Sequence, residues 1–507
     1  METDPDSSDL PEHPGRVVWA LAWPAVALNS MQVINTLLDR TFLGSLPSSA
    51  LKAAAGCMTM QFLLFSIAMS ISIGATALVS RAYGAGANRD LRKAARQSLS
   101  LSLLISLVVL ALGAVISPIW ARQLFPNNPD VQLAMTQFMH IYLMGLPAIY
   151  GLQILAGSLR GVGDTKSPMV ISGIQIGLHI VLNFLFIFPA RTVNGISVPG
   201  LNMGLNGSAW ALTVSAFLAF FGYMFYMRRT PVGSMWAIER PEKEWSQRIL
   251  KIANPSVGMS ILRVASLSAI QSILTGVPYS EAAIAAIPIG FSIESIMFMP
   301  AFGFSMAATT LVGQSLGMKK PERARKLAWL SGHYAAAVVL SLVVPIYAFA
   351  PSIATAMIDN SKRPAVHLAD RTTAGAQPSA ATAAEGGRGT GPGVVGSASD
   401  KAQIIEESVL LIRLLCLTEL LFCYNMVLTG AMQGAGDSIR PFWITVITLW
   451  VFRVPFAYLF ALPLKMGAPG AYISLSATQA IGGALAIFYF IQGKWKTISV
   501  GVGEKQV

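Results

Sequence analysis

The chain has 507 residues, of which 54% are hydrophobic and only 12% charged, with a net charge of +12. Soluble globular domains carry about 25% charged residues, and the apolar residues here fall in blocks too long for an aqueous core, so the composition excludes a soluble protein. The cations gather in short loops beside those blocks, as in membrane proteins, and this argues against a nucleic-acid partner.

Residues 1–15 form a polar, acidic tail (Glu2, Asp4, Asp6, Asp9, Glu12) unlike a secretory signal peptide. Apolar blocks then predict membrane spans near 17–39, 53–80, 97–120, 132–156, 168–189, 205–227, 250–274, 282–312, 327–350, 404–430, 441–463 and 468–492. Blocks of about twenty residues suit a hydrocarbon layer roughly 30 Å thick crossed at about 1.5 Å per residue. Helices are expected because a chain in lipid must satisfy its own backbone, and the non-alternating apolarity excludes a β-barrel. The fold expected is an all-α polytopic membrane protein with two six-helix lobes, 16–230 and 249–496. An interlobe loop at 231–248 joins them, and a tail at 497–507 follows. Residues 361–401, rich in Ala, Gly, Thr, Ser and Pro, read as a disordered external insertion.

Cations favour every second loop. Arg81, Arg89, Arg92, Lys93 and Arg96 follow span two, and Arg228, Arg229, Arg240 and Lys243 follow span six. Lys319, Lys320, Arg323, Arg325 and Lys326 follow span eight. The positive-inside rule then places both termini in the cytoplasm, with the chain in the plasma (inner) membrane.

The halves repeat. The run from Gly157 through Arg160, Gly163 and Asp164 to Pro168 matches that from Gly430 through Gln433, Gly436 and Asp437 to Pro441. Ala22-Trp23-Pro24-Ala25-Val26 matches Ala253-Asn254-Pro255-Ser256-Val257. An even number of spans separates the copies, so the repeats are parallel, related by a pseudo-two-fold axis along the membrane normal. Such a pair encloses a central cavity, which points to transport. Gly161, Gly163, Gly434 and Gly436 suit tight turns, Asp164 and Asp437 suit helix caps, and Pro24 and Pro255 are candidate kinks.

Ionisable residues within spans are functional candidates because burying their charge is costly. Asp39, Arg263, Glu294, Glu419 and Arg453 stand out, with Arg413, His140, His179 and His333 behind them. The second half holds both glutamates and all three arginines; the first half shows Asp39 and no arginine well inside a span. An acid without a fixed cation can exchange a proton, or accept a cation, as its surroundings change. Glu294 and Glu419 could attract cations in a cavity or form structural pairs with Arg263 or Arg453. Cys57, Cys416 and Cys423 lack metal or disulfide spacing and read as packing residues. Gly-x-Ser-x-Gly elbows, phosphate loops and metal-ligand spacing are absent, so an enzyme is not expected.

Several motifs together resemble the MATE (multidrug and toxic compound extrusion) family: Leu38-Asp39-Arg40-Thr41-Phe42-Leu43-Gly44, Arg81-Ala82-Tyr83-Gly84-Ala85, Leu159-Arg160-Gly161-Val162-Gly163-Asp164, Val312-Gly313-Gln314-Ser315-Leu316-Gly317 and Arg453-Val454-Pro455. The resemblance runs from about Arg16 to Lys496, apart from the insertion. It implies alternating access and export of cationic or amphipathic small molecules by a monomer, coupled to protons or Na+ with no cofactor. It ties Asp39 to coupling and Pro24 to bending. Where many relatives carry Asn and then Asp in span five, this chain carries His179 and Asn183, so the second acid is missing. His179 could titrate in its place or simply be hydrogen-bonded. The rival reading within the superfamily is a lipid-linked oligosaccharide flippase, with Arg263, Arg413 and Arg453 facing pyrophosphate.

Overall fold

The computed structural model describes residues 10–193, 196–236, 239–278, 280–360 and 398–501. The first half comprises α1 (Pro14–Gly44), α2 (Ser48–Gly84), α3 (Asn88–Leu124), α4 (Pro129–Met144), α5 (Leu146–Gly161), α6 (Lys166–Ile187) and α7 (Gly204–Met227). The second comprises α8 (Lys243–Leu274), α9 (Ser280–Gly317), α10 (Pro321–Ala348), α11 (Ala350–Asn360), α12 (Ala398–Gly434), α13 (Ile439–Val446), α14 (Val454–Ala461) and α15 (Ala468–Ile491).

Among the described residues, eleven spans are long apolar helices, and α4 with α5 supplies a twelfth, bent by 46°. The bend falls at Gly145, just before Pro147, which has no N–H to give the preceding turn. A π-helical turn over Ile447–Arg453 joins α13 to α14 immediately before Pro455, for the same reason.

The departures from the expected outline are local. An antiparallel hairpin, β1 (Pro189–Val193) with β2 (Ile196–Leu201), connects α6 to α7, so the fold is nearly, not wholly, α-helical. The interlobe loop ends at Glu242, because α8 begins at Lys243. It is pinned to α3 by Arg96–Glu239 (3.0 Å) and Lys93–Glu242 (2.9 Å). Of the expected 361–401 insertion, residues 361–397 lie outside the described residues, and 398–401 open α12. The expected C-terminal tail starts packed: Ile498 accepts a hydrogen bond from Arg81 Nη2 (3.1 Å), just after Trp495, which closes the second lobe fully buried against Phe490 (4.8 Å).

The duplication is visible in the packing. In the first half α2 packs on α3 and α5, α1 on α6, and α6 on α7; in the second, α9 packs on α10 and α12, α8 on α13, and α14 on α15. The turn residues behave alike as well. Gly163 and Gly436 have φ of 92° and 90°, and the carboxylates of Asp164 and Asp437 accept from the Ser167 and Arg440 amides (3.0 and 3.3 Å).

The lobes meet through α2 and α9 on the axis, α1 against α9, and α8 against α2. A Cβ on Gly84 would overlap the Gln314 carbonyl, and one on Gly317 would overlap that of Arg81. Only glycine permits so close a crossing. Thr310 Oγ1 and Gln314 Nε2 donate to the carbonyls of Arg160 and Gly161 (3.1 and 3.0 Å). These contacts all lie at the end bearing the cation-rich loops, so the cleft between the lobes is sealed there.

Two helices cross between lobes. The early part of α1 (Val18, Leu21, Ala22) belongs to the second lobe's core beside Phe304 and Ala308, whereas Asn35 and Phe42 contact His179 and Phe188 of the first lobe. Conversely, Trp245, Ile249 and Ile252 of α8 join the first lobe's core, and Ile270 and Leu274 the second's. Pro24 and Pro255 lie inside helices that continue through them, between the two attachments of each helix.

Candidate functional site

Span one carries Asn35 and Asp39, four residues apart and therefore on one helical face. Span five presents His179 and Asn183 in the same way. The two faces meet. Asn183 Nδ2 donates to Asp39 Oδ1 (2.7 Å), and Asn35 Nδ2 to Asp39 Oδ2 (3.4 Å). His179 Nδ1 lies 3.2 Å from Asn35 Oδ1, and its Nε2 lies 3.3 Å from Asn183 Nδ2. Neutral histidine with its proton on Nδ1 satisfies every one of these bonds. Asn35, His179 and Asn183 are buried and Asp39 is half-buried.

Asp39 therefore has two neutral donors and, among the described residues, no arginine or lysine beside it; His179 Nδ1 is 3.9 Å away. Arg40 is exposed. The three expected coupling residues are thus brought together, and Asn35 is added to them. Its position one turn before Asp39 is the signal that could have found it.

The second lobe holds a different cluster. Glu294 Oε1 accepts from Gln479 Nε2 (2.6 Å), whose own Oε1 accepts from Thr418 Oγ1 (3.0 Å). Arg453 donates from Nε to Thr478 Oγ1 (2.9 Å), and its carbonyl at the end of the π turn accepts from Ser474 (2.7 Å). Glu294 lies within Coulomb range of both Arg453 and Arg263. Glu294, Glu419 and Arg453 are buried, whereas Arg263 is exposed. Neither oxygen of Glu419 has a hydrogen-bond partner. Arg413 stands apart, over the Tyr347 ring at 5.5 Å. His140 contacts the Ala114 carbonyl (3.2 Å), and His333 the Tyr424 hydroxyl (2.7 Å).

The first half has one buried arginine at the end of a span: Arg160, in the last turn of α5, is only 7% exposed. It stands beside turn glycines and so reads as a loop cation, but α5 continues to Gly161 and packs on α2, which buries it. The three cysteines are buried and unpaired with one another.

A family model described as MatE matches residues 24–185, 255–379 and 394–459. The chain is 25% identical to a probable multidrug resistance protein NorM of Thermotoga maritima, over 96% of this chain and 94% of that protein. Among solved structures, a MOP superfamily transporter from Pyrococcus furiosus superposes with a TM-score of 0.81 at 19% identity, covering 96% of this chain and 97% of that one. An outward-facing multidrug resistance MATE family transporter gives 0.76 at 20% identity, covering 97% and 98%. The last two likenesses concern the fold; the family model covers well over half of the sequence, and the chain belongs to the MatE family.

Proposed function

We propose that the protein is a secondary active multidrug exporter that moves cationic or amphipathic molecules out of the cell in exchange for protons, by alternating access. The observation that carries this reading is the Asp39 network: an acid between two helices, held by neutral donors alone. Its bonding pattern is compatible with neutral His179 only. A proton added at Nε2 would face the Asn183 amide donor; the amide would have to turn, and Asp39 would lose its shortest hydrogen bond. Proton occupancy of the pair is thereby linked to the contact between spans one and five. Span one is also the helix that crosses between lobes, so a change at Asp39 bears on how the lobes are joined, with Pro24 and Pro255 as the flexible points.

The relatives named as multidrug resistance proteins support the export reading. The flippase reading is weaker, because Arg453 donates to Thr478 with the opposite charge of Glu294 in the same cluster, while Arg413 stands over the Tyr347 ring elsewhere. We further propose cytoplasmic termini in the plasma membrane, since the sealed end bears the cation-rich loops; labelling of a cysteine at Arg89 from the outer face would refute that orientation. The test of function is efflux of cationic dyes from membrane vesicles with proton and sodium gradients imposed separately. Export driven by the proton gradient alone is expected. Export that follows sodium alone, or neither gradient, would overturn the proton assignment.

A further inference from the structure

Where α2 and α9 cross, a small cleft opens on the pseudo-two-fold axis. Its lining comes in pairs from equivalent places in the two halves. Met69 answers Phe302, Ser72 answers Ser305, Ile73 answers Met306, and Thr76 answers Thr309. The fifth pair, Arg160 and Gln433, breaks the symmetry by one full charge.

The break is not compensated. Gln433 Nε2 donates to Ser256 Oγ on α8 (3.2 Å), but the matching place on α1 is Ala25, which offers no acceptor side chain. Arg160 donates from Nη2 to Ser72 Oγ (3.3 Å) and, among the described residues, enters no ion pair. The nearby carboxylate of Asp164 is committed to Ser167 and Tyr226. Four hydroxyls around the cleft cannot neutralise the charge: Ser72, Thr76, Ser305 and Thr309 all donate to helix carbonyls. A guanidinium on a side chain only 7% exposed, whose charge meets a neutral hydroxyl and no carboxylate among the described ion pairs, in a cleft shared by both lobes, calls for an anionic partner.

We propose that this cleft is a binding site for one oxyanion, a carboxylate or phosphate group, held by Arg160 and supplied either by the acidic group of a substrate or by a free anion. It would sit where the lobes must part, so its occupancy would favour the closed inner end. The substrate branch rests on the export reading above; the binding branch does not.

The variant that tests it is Arg160→Gln, because the symmetric position already accommodates glutamine. With the purified full-length protein in detergent, inorganic phosphate is expected to raise the unfolding midpoint of the wild type by a few degrees over chloride at equal ionic strength. The shift should vanish in R160Q and be retained in R160K. In vesicles, rhodamine B (a free carboxyl) and its ethyl ester (none) separate the two sources. A loss of about tenfold in export of the acid relative to the ester in R160Q assigns the site to substrate. Phosphate stabilisation lost in R160Q with an unchanged dye ratio assigns it to a free anion. If phosphate stabilises wild type and R160Q equally, and the dye ratio is also unchanged, the site does not exist. Should R160Q fail to fold, the wild type decides alone: no stabilisation by phosphate over chloride at equal ionic strength would overturn the proposal.

Discussion

Thr76 and Thr309 hold equivalent positions on α2 and α9: the hydroxyl of Thr76 donates to the Gly157 carbonyl at 3.0 Å, and that of Thr309 to the Gly430 carbonyl at 2.9 Å. One turn earlier, Ser72 and Ser305 do the same to Gln153 and Met426 (2.7 and 2.8 Å). Each lobe is thus fastened by one device used twice. At the far end of the same two helices, Gly84 and Gly317 bring the lobes together. Gly84→Ala or Gly317→Ala should therefore abolish most dye export while each lobe still folds. Gly177→Ala, where an added methyl group meets nothing within 4 Å, should be silent. Export and the melting profile of the three purified variants check this.

Asn183 serves two partners at once, and leucine in its place keeps the volume while removing both bonds. A hydrogen bond to a charged group contributes about 1.5–3 kcal/mol. Asn183→Leu should then lower proton-driven export by about tenfold or more at normal expression. Unchanged export would show that the span-one to span-five contact is not part of coupling.

Pro24 and Pro255 leave the carbonyls of Ala20 and Lys251 without their helical donors. Pro24→Ala and Pro255→Ala would restore those bonds and stiffen each helix between its attachments to the two lobes. Both variants should be at least as heat-stable as the wild type yet several-fold slower in export. A variant that is stiffer and fully active would remove that proline from the cycle.

Glu294 and Arg453 are both buried, bonded to Gln479 and Thr478 respectively, and leaving one buried charge without its counter-charge costs up to about 3–5 kcal/mol. Arg453→Met should lower the unfolding midpoint sharply. The double variant Glu294→Gln/Arg453→Met should lose less than the sum of the single losses. Strict additivity in a double-mutant cycle would mean that the two charges do not interact.

Much of this architecture is legible in the sequence, because hydropathy, loop charge and the Gly-Asp repeats each report a physical constraint of the bilayer or of a tight turn. The duplicated turns at Asp164 and Asp437 are an example, whereas the pairing of Asp39 with His179 and Asn183 is implied by the family resemblance and not by these signals. What escaped is where backbone geometry, not apolarity, decides. The bend at Gly145 and the π turn before Pro455 are both signalled by proline, yet hydropathy runs through them without a break. Arg160 escaped because a cation beside turn glycines reads as solvated, and only the packing of α5 on α2 buries it. Asn35 carries no charge to mark it as a candidate, although its spacing from Asp39 puts it on the same face.

Everything proposed about coupling converges on the carboxyl group of Asp39. Asn in its place preserves size and hydrogen-bonding capacity but cannot hold an exchangeable proton. In vesicles with an imposed proton gradient, Asp39→Asn at wild-type abundance should lose gradient-driven dye export while still binding dye. Export by that variant at the wild-type rate, still driven by the proton gradient, would contradict the account.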